Sequence, residues 1–284
     1  MEFLAQLLQA ERPIEVVDIG ANPIDGDPPY KILLDAGLCN VTGFEPQPDA
    51  LAQLNQLKSK HERYLPYAVA DGESHTLNIC QYSGMTSLLK PDDKVFDHFI
   101  ALKPHAEVVK RVLIDTHALD DITEIKQLDF LKIDIQGAEL SVFQSGREKL
   151  KHTVVIQTEI SFITLYQNQP GFGEIDVELR AQGFIPHCFA AVKHWPIAPF
   201  SYTEQPRQAI NQLLEADMVY VRDFMHPEKM DDEQLKQLAL IAHYCYHSYD
   251  LTLRCIVLLE QRQAIAEDCQ QKYIDYLNHP PAAS

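Results

Sequence analysis

The stretch LDFLKIDIQGAELSVFQSG, residues 128–146, predicts a strand, a turn and a helix in succession. The apolar run at residues 130–135 is typical of a buried β-strand, and a helix is predicted at residues 139–145. Asp134 and Gly137 stand between them, so the strand ends in a carboxylate and a residue that permits a tight turn. A buried strand that returns through a helix is the repeating unit of a parallel α/β sheet.

The same unit recurs along the first two thirds of the chain. Buried strands are predicted at residues 14–19, 41–45, 63–70, 75–82, 107–116, 130–135 and 153–159. Helices are predicted at residues 29–36, 48–59, 94–99, 139–145 and 173–182. Strands that alternate with helices in this way predict a parallel, doubly wound sheet. Residues 184–192 and 218–221 also resemble strands but leave little room for a crossover helix, which predicts a closing antiparallel pair.

The composition changes near Pro227, which divides the chain into a predicted domain at residues 1–226 and a helical segment at residues 227–284. Residues 231–277 contain neither glycine nor proline. Their apolar side chains recur at helical spacing, as in the stripe of Leu235, Leu238, Ile241, Cys245 and Tyr249. The segment weakly resembles one helix-turn-helix repeat of the tetratricopeptide kind, which cannot bury both of its faces alone. It is therefore expected to pack on the first domain, on a second subunit or on a partner protein, and we favour a homodimer.

Charge and cysteine content exclude several classes of function. The 284-residue chain carries 24 Lys and Arg against 41 Asp and Glu, a formal net charge of −17. A surface this negative repels phosphate backbones and anionic lipids, so neither nucleic acid nor a membrane is an expected partner. The six cysteines include no CxxC pair, and no apolar stretch is long enough to cross a bilayer. These features predict a cytoplasmic protein with reduced thiols.

A second strand end, VVDIGAN at residues 16–22, indicates the kind of ligand that the sheet binds. Ligands of a doubly wound sheet bind at the carboxyl ends of its strands. Gly20 permits close approach of the backbone, and Asn22 offers a polar side chain. Pro23 and the prolines and acidic residues after it spoil the row of free N–H groups that would hold the pyrophosphate of NAD. The turn therefore favours a cationic ligand without phosphate.

The acidic residue after the next strand narrows the ligand further. Glu45 follows the segment VTGF at the tip of the second predicted strand. A carboxylate at this position accepts hydrogen bonds from both hydroxyl groups of a ribose. A ribose without phosphates and a positive centre are both features of S-adenosylmethionine (SAM), so the sequence predicts SAM as the cofactor.

Several segments resemble the FkbM family of SAM-dependent methyltransferases. The family signature is LKID, then an acidic or amide residue, GAE and a helix ending in glycine, and it is matched by residues 131–134, Gln136, residues 137–139 and Gly146. Further family motifs are similar to residues 16–22, 41–51, 67–73 and 154–184. The resemblance implies an α/β, Rossmann-like class I methyltransferase fold with a seven-stranded sheet, here with an all-α C-terminal appendage. It also implies O-methylation of a hydroxyl group on a sugar, polyketide or other small metabolite.

The resemblance assigns roles to individual residues. The cofactor-binding residues that it implies are Asp18, Gly20, Ala21, Asn22, Glu45, Pro46, Ala70, Asp71, Asp134, Gln136 and Gly137. Gly20 and its neighbours border the methionine portion of SAM, Glu45 holds the ribose, and Asp71 lies near the adenine amino group. Asp134 lies beside the sulfonium, a place that the strand pattern gives it as well.

Methyl transfer to oxygen also needs a group that accepts the proton of the acceptor hydroxyl. Asp134 and Glu159 end neighbouring predicted strands and so share one crevice, which makes each a candidate base or its orienting partner. His187 and His194, on the predicted closing pair, are the alternative candidates. Two other interpretations stay open, with Glu159 as a turn cap and His187 as a core histidine. No clear third ligand accompanies the two carboxylates, so no metal is expected.

The expected acceptor is a small molecule or a glycan. Its pocket is predicted to be built from residues 90–105, 162–172 and 195–206. Two alternative functions remain open at this point. One is a SAM-fold binding module that does not catalyse and acts through its C-terminal helices, and the other is an NAD-dependent oxidoreductase, which Pro23 disfavours.

Overall fold

Ten strands form two sheets within residues 2–22, 26–200 and 211–279, the parts of the chain that this computed structural model describes. The strands are β1 (Ile14–Ile19), β2 (Cys39–Phe44), β3 (Glu62–Leu65), β4 (Ala68–Ala70), β5 (Ser74–Cys80), β6 (Val108–Ala118), β7 (Phe130–Ile133), β8 (Val155–Ser161), β9 (Phe184–His194) and β10 (Leu213–Arg222). Seven of them form the main sheet in the order β3-β2-β1-β7-β8-β10-β9, and the smaller sheet has the order β4-β6-β5.

Ten α-helices occur in the same described residues. They are α1 (Glu2–Leu8), α2 (Lys31–Asp35), α3 (Pro48–Leu57), α4 (Asp93–Phe96), α5 (Glu139–Ser145), α6 (Arg147–Leu150), α7 (Phe172–Ala181), α8 (Asp232–Tyr246), α9 (Tyr249–Gln261) and α10 (Cys269–Asn278). The start of α8 is fixed by a reciprocal cap, in which Asp231 and Gln234 each accept the backbone N–H of the other. None of these described helices combines the length and apolar character that crossing a lipid bilayer requires.

The strand connections confirm the predicted doubly wound arrangement. β1 lies at the centre, parallel to β2 on one side and to β7 on the other, and β8 continues parallel to β7. The chain runs outward from β1 to β3 and then returns to β7, which places the reversal of strand order between β1 and β7. β10 pairs antiparallel with both β8 and β9, so the predicted closing pair is confirmed.

The smaller sheet corrects the assignment of three segments. The sequence predicts one strand at residues 63–70, but β3 joins the main sheet and β4 joins the smaller one. Pro66, which has no N–H to donate to a sheet, lies between them. The strands predicted at residues 75–82 and 107–116 do not join the parallel sheet, because β5 and β6 pair antiparallel with each other. Most side chains of β6 are exposed, whereas strands of a parallel sheet are buried on both faces.

Two apolar cores cover the two faces of the main sheet. Neighbouring residues of one strand point to opposite faces, so Val16 and Phe130 belong to one core while Val17 and Leu131 belong to the other. The first core includes side chains of α1, α2, α8, α9 and α10. The second includes side chains of α5 and α7. The sheet is thus covered on both sides, and the carboxyl ends of its parallel strands remain available for a site.

The C-terminal helices share the first core with the sheet. The hydroxyl of Tyr246 on α8 donates to Gln157 of β8 at 2.8 Å, and its ring meets Phe130 edge-on at 6.1 Å between centroids. On α10, Tyr276 stacks on Phe3 of α1 with centroids 4.5 Å apart. Of the three expected packing partners, the first domain is the one observed, and the predicted homodimer stays a prediction. The predicted boundary after residue 226 divides the sequence but not this core.

Candidate active site

Backbone contacts hold the ends of β1, β2 and β7 close together. Gly20 has a φ of +80°, and a Cβ added to it would lie 2.0 Å from the carbonyl oxygen of Asp134. The N–H of Gly20 donates to Phe44, and the N–H of Asp134 donates to Ile19, each at 3.0 Å. Only glycine suits this backbone conformation and this close approach. The first glycine of the predicted turn is therefore required by the junction of the three strand ends.

A cleft that is partly open to solvent lies at this junction. Its apolar lining includes Phe44, Tyr67, Val69 and Leu77. Its polar lining includes Asn22, Glu45, Gln47, Asp134 and Gln136. Among the predicted cofactor residues, the structure brings together Gly20, Asn22, Glu45, Pro46, Asp134 and Gln136 in this cleft. An apolar chamber with a few converging polar groups is the usual form of a small-molecule site.

Glu45 is a buried carboxylate in the wall of this cleft. The residue is only 2% exposed, and this burial raises the pKa of its carboxyl group above the ordinary value. Its Oε1 atom accepts a 2.7 Å hydrogen bond from the N–H of Gln47. The side chain of Gln47 is a second hydrogen-bonding partner, and two partners leave part of the acceptor capacity of a carboxylate unused. Glu45 therefore retains acceptor capacity for hydroxyl groups of a ligand.

The structure places four of the other predicted cofactor residues outside the lining of this cleft. Asp71 lies in the loop after β4, where its Oδ1 atom accepts from His75 at 2.7 Å and from the N–H of Glu73 at 3.0 Å. Asp71 is thus engaged by its own loop, and its contact with adenine stays a prediction. Ala70 and Gly137 are also absent from the lining, and Ala21 lines a different cavity.

Asp18 has a structural role on the opposite face of the sheet. Its Oδ2 atom accepts a 2.5 Å hydrogen bond from Tyr30, and its Oδ1 atom lies 3.3 Å from Nζ of Lys132. Asp18 therefore joins the start of α2 to two central strands, and it does not line the cleft as predicted. Pro23, on which the argument against binding of the NAD pyrophosphate depends, lies outside the described residues.

The loop after β7 presents Asp134 and Gln136 to the cleft. Gln136 and Gly137 both have positive φ, at 58° and 105°. Glu139 is buried behind this loop, and its Oε1 atom accepts the N–H groups of Ile135 at 3.0 Å and Gly137 at 3.2 Å. Burial raises the pKa of Glu139 to about 7. The glutamate of the GAE motif thus fixes the conformation of the loop.

A polar network links Asp134 to Glu159, the two candidate bases. The amide nitrogen of Gln136 donates to Oδ1 of Asp134 at 2.7 Å and to Oε2 of Glu159 at 2.9 Å. Lys193 of β9 donates to the other oxygen of Glu159 at 2.6 Å, and its ammonium lies 3.7 Å from Glu215 of β10. Both oxygens of Glu159 therefore have donors within the protein. The prediction that Asp134 and Glu159 share one crevice agrees with these contacts.

The four charged groups of this network perturb one another. Burial and the nearby carboxylates of Asp134 and Glu215 raise the pKa of Glu159 well above its ordinary value. Burial likewise raises the pKa of Glu215 to about 7, against the opposing effect of Lys193. Partial burial acts to lower the pKa of Lys193, but Glu159 and Glu215 raise it above its ordinary value. Above the raised pKa values of Glu159 and Glu215, the network holds three carboxylates against one ammonium group, and this end of the site is then electronegative.

A second cavity, with about 920 Å³ of empty volume, adjoins the cleft. The residues that line both are Gly84, Asp134 and Gln136. The other residues that line the second cavity are Tyr82, Met85, Leu102, His105, Leu165, Lys193, Trp195 and Glu215. Four of these, Leu102, His105, Leu165 and Trp195, fall within the segments predicted to form the acceptor pocket. The second cavity is thus a separate chamber that meets the cleft at Asp134.

His187 is not brought to the crevice, which corrects its selection as a candidate base. It lines neither the cleft nor the second cavity, and its Nε2 atom lies 2.6 Å from the hydroxyl of Ser248. Asp217 of β10 pairs with Glu159 of β8 on one side and with Ala191 of β9 on the other. His187 lies four residues before Ala191 along β9. At the rise of a β-strand this is roughly 13 Å. His187 instead ties β9 to the turn before α9.

Lys193 and Glu215 are the residues of the site that sequence reasoning missed. The signal for Glu215 is an acidic residue between the apolar residues Leu214 and Ala216 near the start of β10, where it is 7% exposed. Lys193 is a single basic residue near the end of β9 and gives no comparable signal. No group of three His, Cys, Asp or Glu in the described part of the chain is arranged to hold a metal ion.

The sheet order and the cleft at the strand ends define a class I SAM-dependent methyltransferase. Residues 18–186 match the family described as Methyltransferase FkbM domain, and the chain belongs to this family. The 2-O-methyltransferase NoeI of Sinorhizobium fredii is 26% identical over 184 residues, which are 58% of this chain and 70% of that protein. The predicted fold, family and cofactor are thereby confirmed.

Two solved structures are also similar. Magnesium protoporphyrin IX methyltransferase (ChlM) from Synechocystis PCC 6803, with bound SAM, has a TM-score of 0.39 and 9% identity. The alignment covers 78% of this chain and 77% of that chain. The plantazolicin methyltransferase BpumL, in complex with SAH, has a TM-score of 0.34 and 11% identity, and the alignment covers 78% of this chain and 80% of that chain.

The residues of the cleft fit SAM chemically. Glu45 has a carboxylate suited to the ribose hydroxyls, and Phe44, Tyr67 and Leu77 provide apolar surface suited to an adenine ring. Asp134 offers a carboxylate at the point where the cleft meets the second cavity. A carboxylate there stabilises a positive centre such as a sulfonium. The roles of the individual residues remain predictions.

Proposed function

We propose that this protein methylates a hydroxyl group of a sugar or a similar polyhydroxylated small metabolite, with Asp134 as the base. The observation that carries the proposal is the junction of two cavities at Asp134 and Gln136. A cofactor in the cleft and an acceptor in the second cavity would meet at that carboxylate. The likeness to a 2-O-methyltransferase supports oxygen as the methylated atom.

SAM, when bound, supplies a methyl group on a positively charged sulfur. The protein has to hold the acceptor hydroxyl in line with that group and to take up the proton that the hydroxyl loses. Asp134 suits the second task because its Oδ1 atom is fixed by Gln136 and its side chain faces both cavities. Because Gln136 already holds the carboxylate in place, less conformational entropy is lost when the reactive geometry forms.

Glu159 has a different place in this proposal. Its two oxygens accept from Gln136 and Lys193. It lines a third cavity together with Asp134, but it does not line the cleft or the second cavity. We therefore assign it the role of a positioning residue, which orients the amide of Gln136. The sequence left Asp134 and Glu159 as equal candidates, and their hydrogen bonds favour Asp134 as the group in contact with the acceptor.

The test compares Asp134→Asn with Glu159→Gln. Each variant is incubated with SAM and a panel of methyl glycosides, and products that gain one methyl group are counted by mass spectrometry. We expect Asp134→Asn to lose about 10²-fold or more of turnover, while its affinity for S-adenosylhomocysteine (SAH), measured by calorimetry, changes less than about tenfold. Glu159→Gln should shift the pH profile of turnover with a smaller loss.

Asp121→Asn serves as the matched control, because Asp121 is an exposed aspartate outside both cavities. It should keep the turnover and the SAH affinity of the parent. Full turnover in Asp134→Asn would rule out Asp134 as the base. Binding of SAH without transfer to any hydroxyl compound, by parent and control alike, would contradict the proposed reaction.

A further inference from the structure

The charge of the second cavity distinguishes among possible acceptors. Three charged side chains line it, and two of them, Asp134 and Glu215, are carboxylates. The third is Lys193, whose Nζ atom lies 2.6 Å from a carboxylate oxygen of Glu159 and 3.7 Å from one of Glu215. Glu159 itself does not line this cavity. The ammonium is thus closer to Glu159 than to any group in the cavity. An anion in the second cavity would therefore meet two carboxylates and a cation that is already paired.

Glu215 is the second carboxylate that lines this cavity. It pairs in register with Lys193 across β10 and β9, and the residue is only 7% exposed. The long contact to Lys193 is its one ion pair among the described residues. A buried carboxyl group held by a single loose contact is a strong acceptor for hydroxyl groups of a ligand.

The rest of the lining suits a ring with one apolar face. Tyr82, His105 and Trp195 provide aromatic surface, and the rings of Tyr82 and His105 meet edge-on with centroids 5.7 Å apart. Leu102 and Leu165 add aliphatic surface. A pyranose combines C–H faces with outward hydroxyl groups, so it can contact both the aromatic lining and the carboxylates.

We propose that Glu215 is a specificity-determining residue, which accepts a hydroxyl of a neutral polyhydroxylated ring and excludes rings that carry a carboxylate. This inference rests on the proposed function, since it takes the second cavity as the acceptor site. It adds the charge class of the acceptor and names the residue that selects it. Lys193 bridges Glu159 and Glu215, and its single positive charge does not offset the carboxylates when they are ionised.

The experiment uses pairs of methyl pyranosides, each offered as the neutral sugar and as the corresponding uronate. The full chain is given SAM, and the kcat/KM of methyl transfer is measured for both members of each pair. Binding in the presence of SAH is followed in parallel by saturation-transfer NMR. The assays are run above about pH 7, the raised pKa of Glu215, so that this carboxyl group is ionised. We expect a preference for the neutral sugar of about tenfold or more, because placing like charges together is costly.

The variant Glu215→Gln should reduce this preference by about tenfold, since it removes the charge while leaving an oxygen acceptor in place. The matched control is Glu228→Gln, which removes the same charge from an exposed position outside the cavity. It changes the overall charge of −17 by the same amount as Glu215→Gln does. It should retain the preference of the parent, because the charge that it removes lies outside the cavity. Circular dichroism confirms that each variant is folded.

Each outcome decides the matter in a different way. If the parent transfers methyl groups to uronates as readily as to neutral sugars, the inference is wrong and the proposed function stands. If Glu215→Gln keeps the full preference, or Glu228→Gln loses it equally, the selection does not come from Glu215. If no pyranoside binds or is methylated, both the inference and the sugar acceptor are overturned. The preference of the parent is informative even if Glu215→Gln fails to fold.

Discussion

The methyl group that Gly20→Ala adds should disturb the junction of the strand ends more than a methyl group added at any other glycine of the site. A Cβ at this position would lie 2.0 Å from the carbonyl oxygen of Asp134, where real contacts stay above 3.0 Å. The two strand ends would have to separate by about 1 Å. The left-handed backbone of an alanine costs about 1–2 kcal/mol, and the overpacking costs about 1–3 kcal/mol. The free energy of unfolding should therefore fall by about 2–5 kcal/mol.

Urea unfolding followed by circular dichroism measures this loss, and calorimetry with SAH measures the accompanying loss of affinity. Gly173→Ala is the matched control, because Gly173 lies in the first turn of α7 and no atom lies within 4 Å of the added Cβ. That variant should be unchanged or more stable by about 0.5–1 kcal/mol. If Gly20→Ala unfolds at the urea concentration of the parent and binds SAH equally well, the close approach of β1 and β7 is not a requirement of the site.

Four further changes have defined outcomes. Glu45→Gln should weaken SAH binding by about 1.5–3 kcal/mol in calorimetry, since the ribose would lose a charged acceptor; unchanged affinity would refute the assignment. Folding raises the pKa of Glu139 to about 7, so the free energy of unfolding should fall as pH rises from about 4.5 to 7, by about 3 kcal/mol at most. In Glu139→Gln that decline, measured by urea unfolding, should be smaller, because the amide does not titrate while its oxygen can still accept both backbone N–H groups. Removal of residues 227–284 should abolish cooperative unfolding, and a truncated chain as stable as the parent would contradict the shared core. His187→Ala should keep methyl transfer within about twofold, given its distance of roughly 13 Å along β9 from the level of Glu159; loss of transfer would restore it as the base.

Much of the main sheet could be predicted from local pattern. β1, β2, β7 and β8 are short apolar runs bounded by turn residues, and each carries its signal within about ten residues of sequence. Glu45 and Asp134 could be located for the same reason, since each directly follows a buried strand. The closing antiparallel pair followed from the absence of room for a crossover helix.

The smaller sheet and the network around Lys193 could not be predicted in the same way. β5 and β6 look like strands, but which sheet they join depends on pairing across 30 or so residues. The contact of Lys193 with Glu159 depends on β10 being inserted between β9 and β8, which the local sequence of β9 does not indicate. Asp18 shows the opposite error. It is placed correctly at a strand end, but the two-residue alternation turns its side chain to the other face, toward Tyr30.

The contact between the first and last helices bears on how the chain folds as it is synthesised. The thiol of Cys269 lies 3.5 Å from the carbonyl oxygen of Leu7, and Lys236 donates to that of Gln9 at 3.1 Å. A ribosome adding about 5–20 residues per second needs roughly 10–50 seconds to proceed from α1 to the end of α9. For most of that interval the apolar face that includes Val16 and Phe130 lacks the cover that α8, α9 and α10 provide. A nascent chain can therefore complete every strand of the main sheet and still expose an aggregation-prone apolar surface until its last helices emerge.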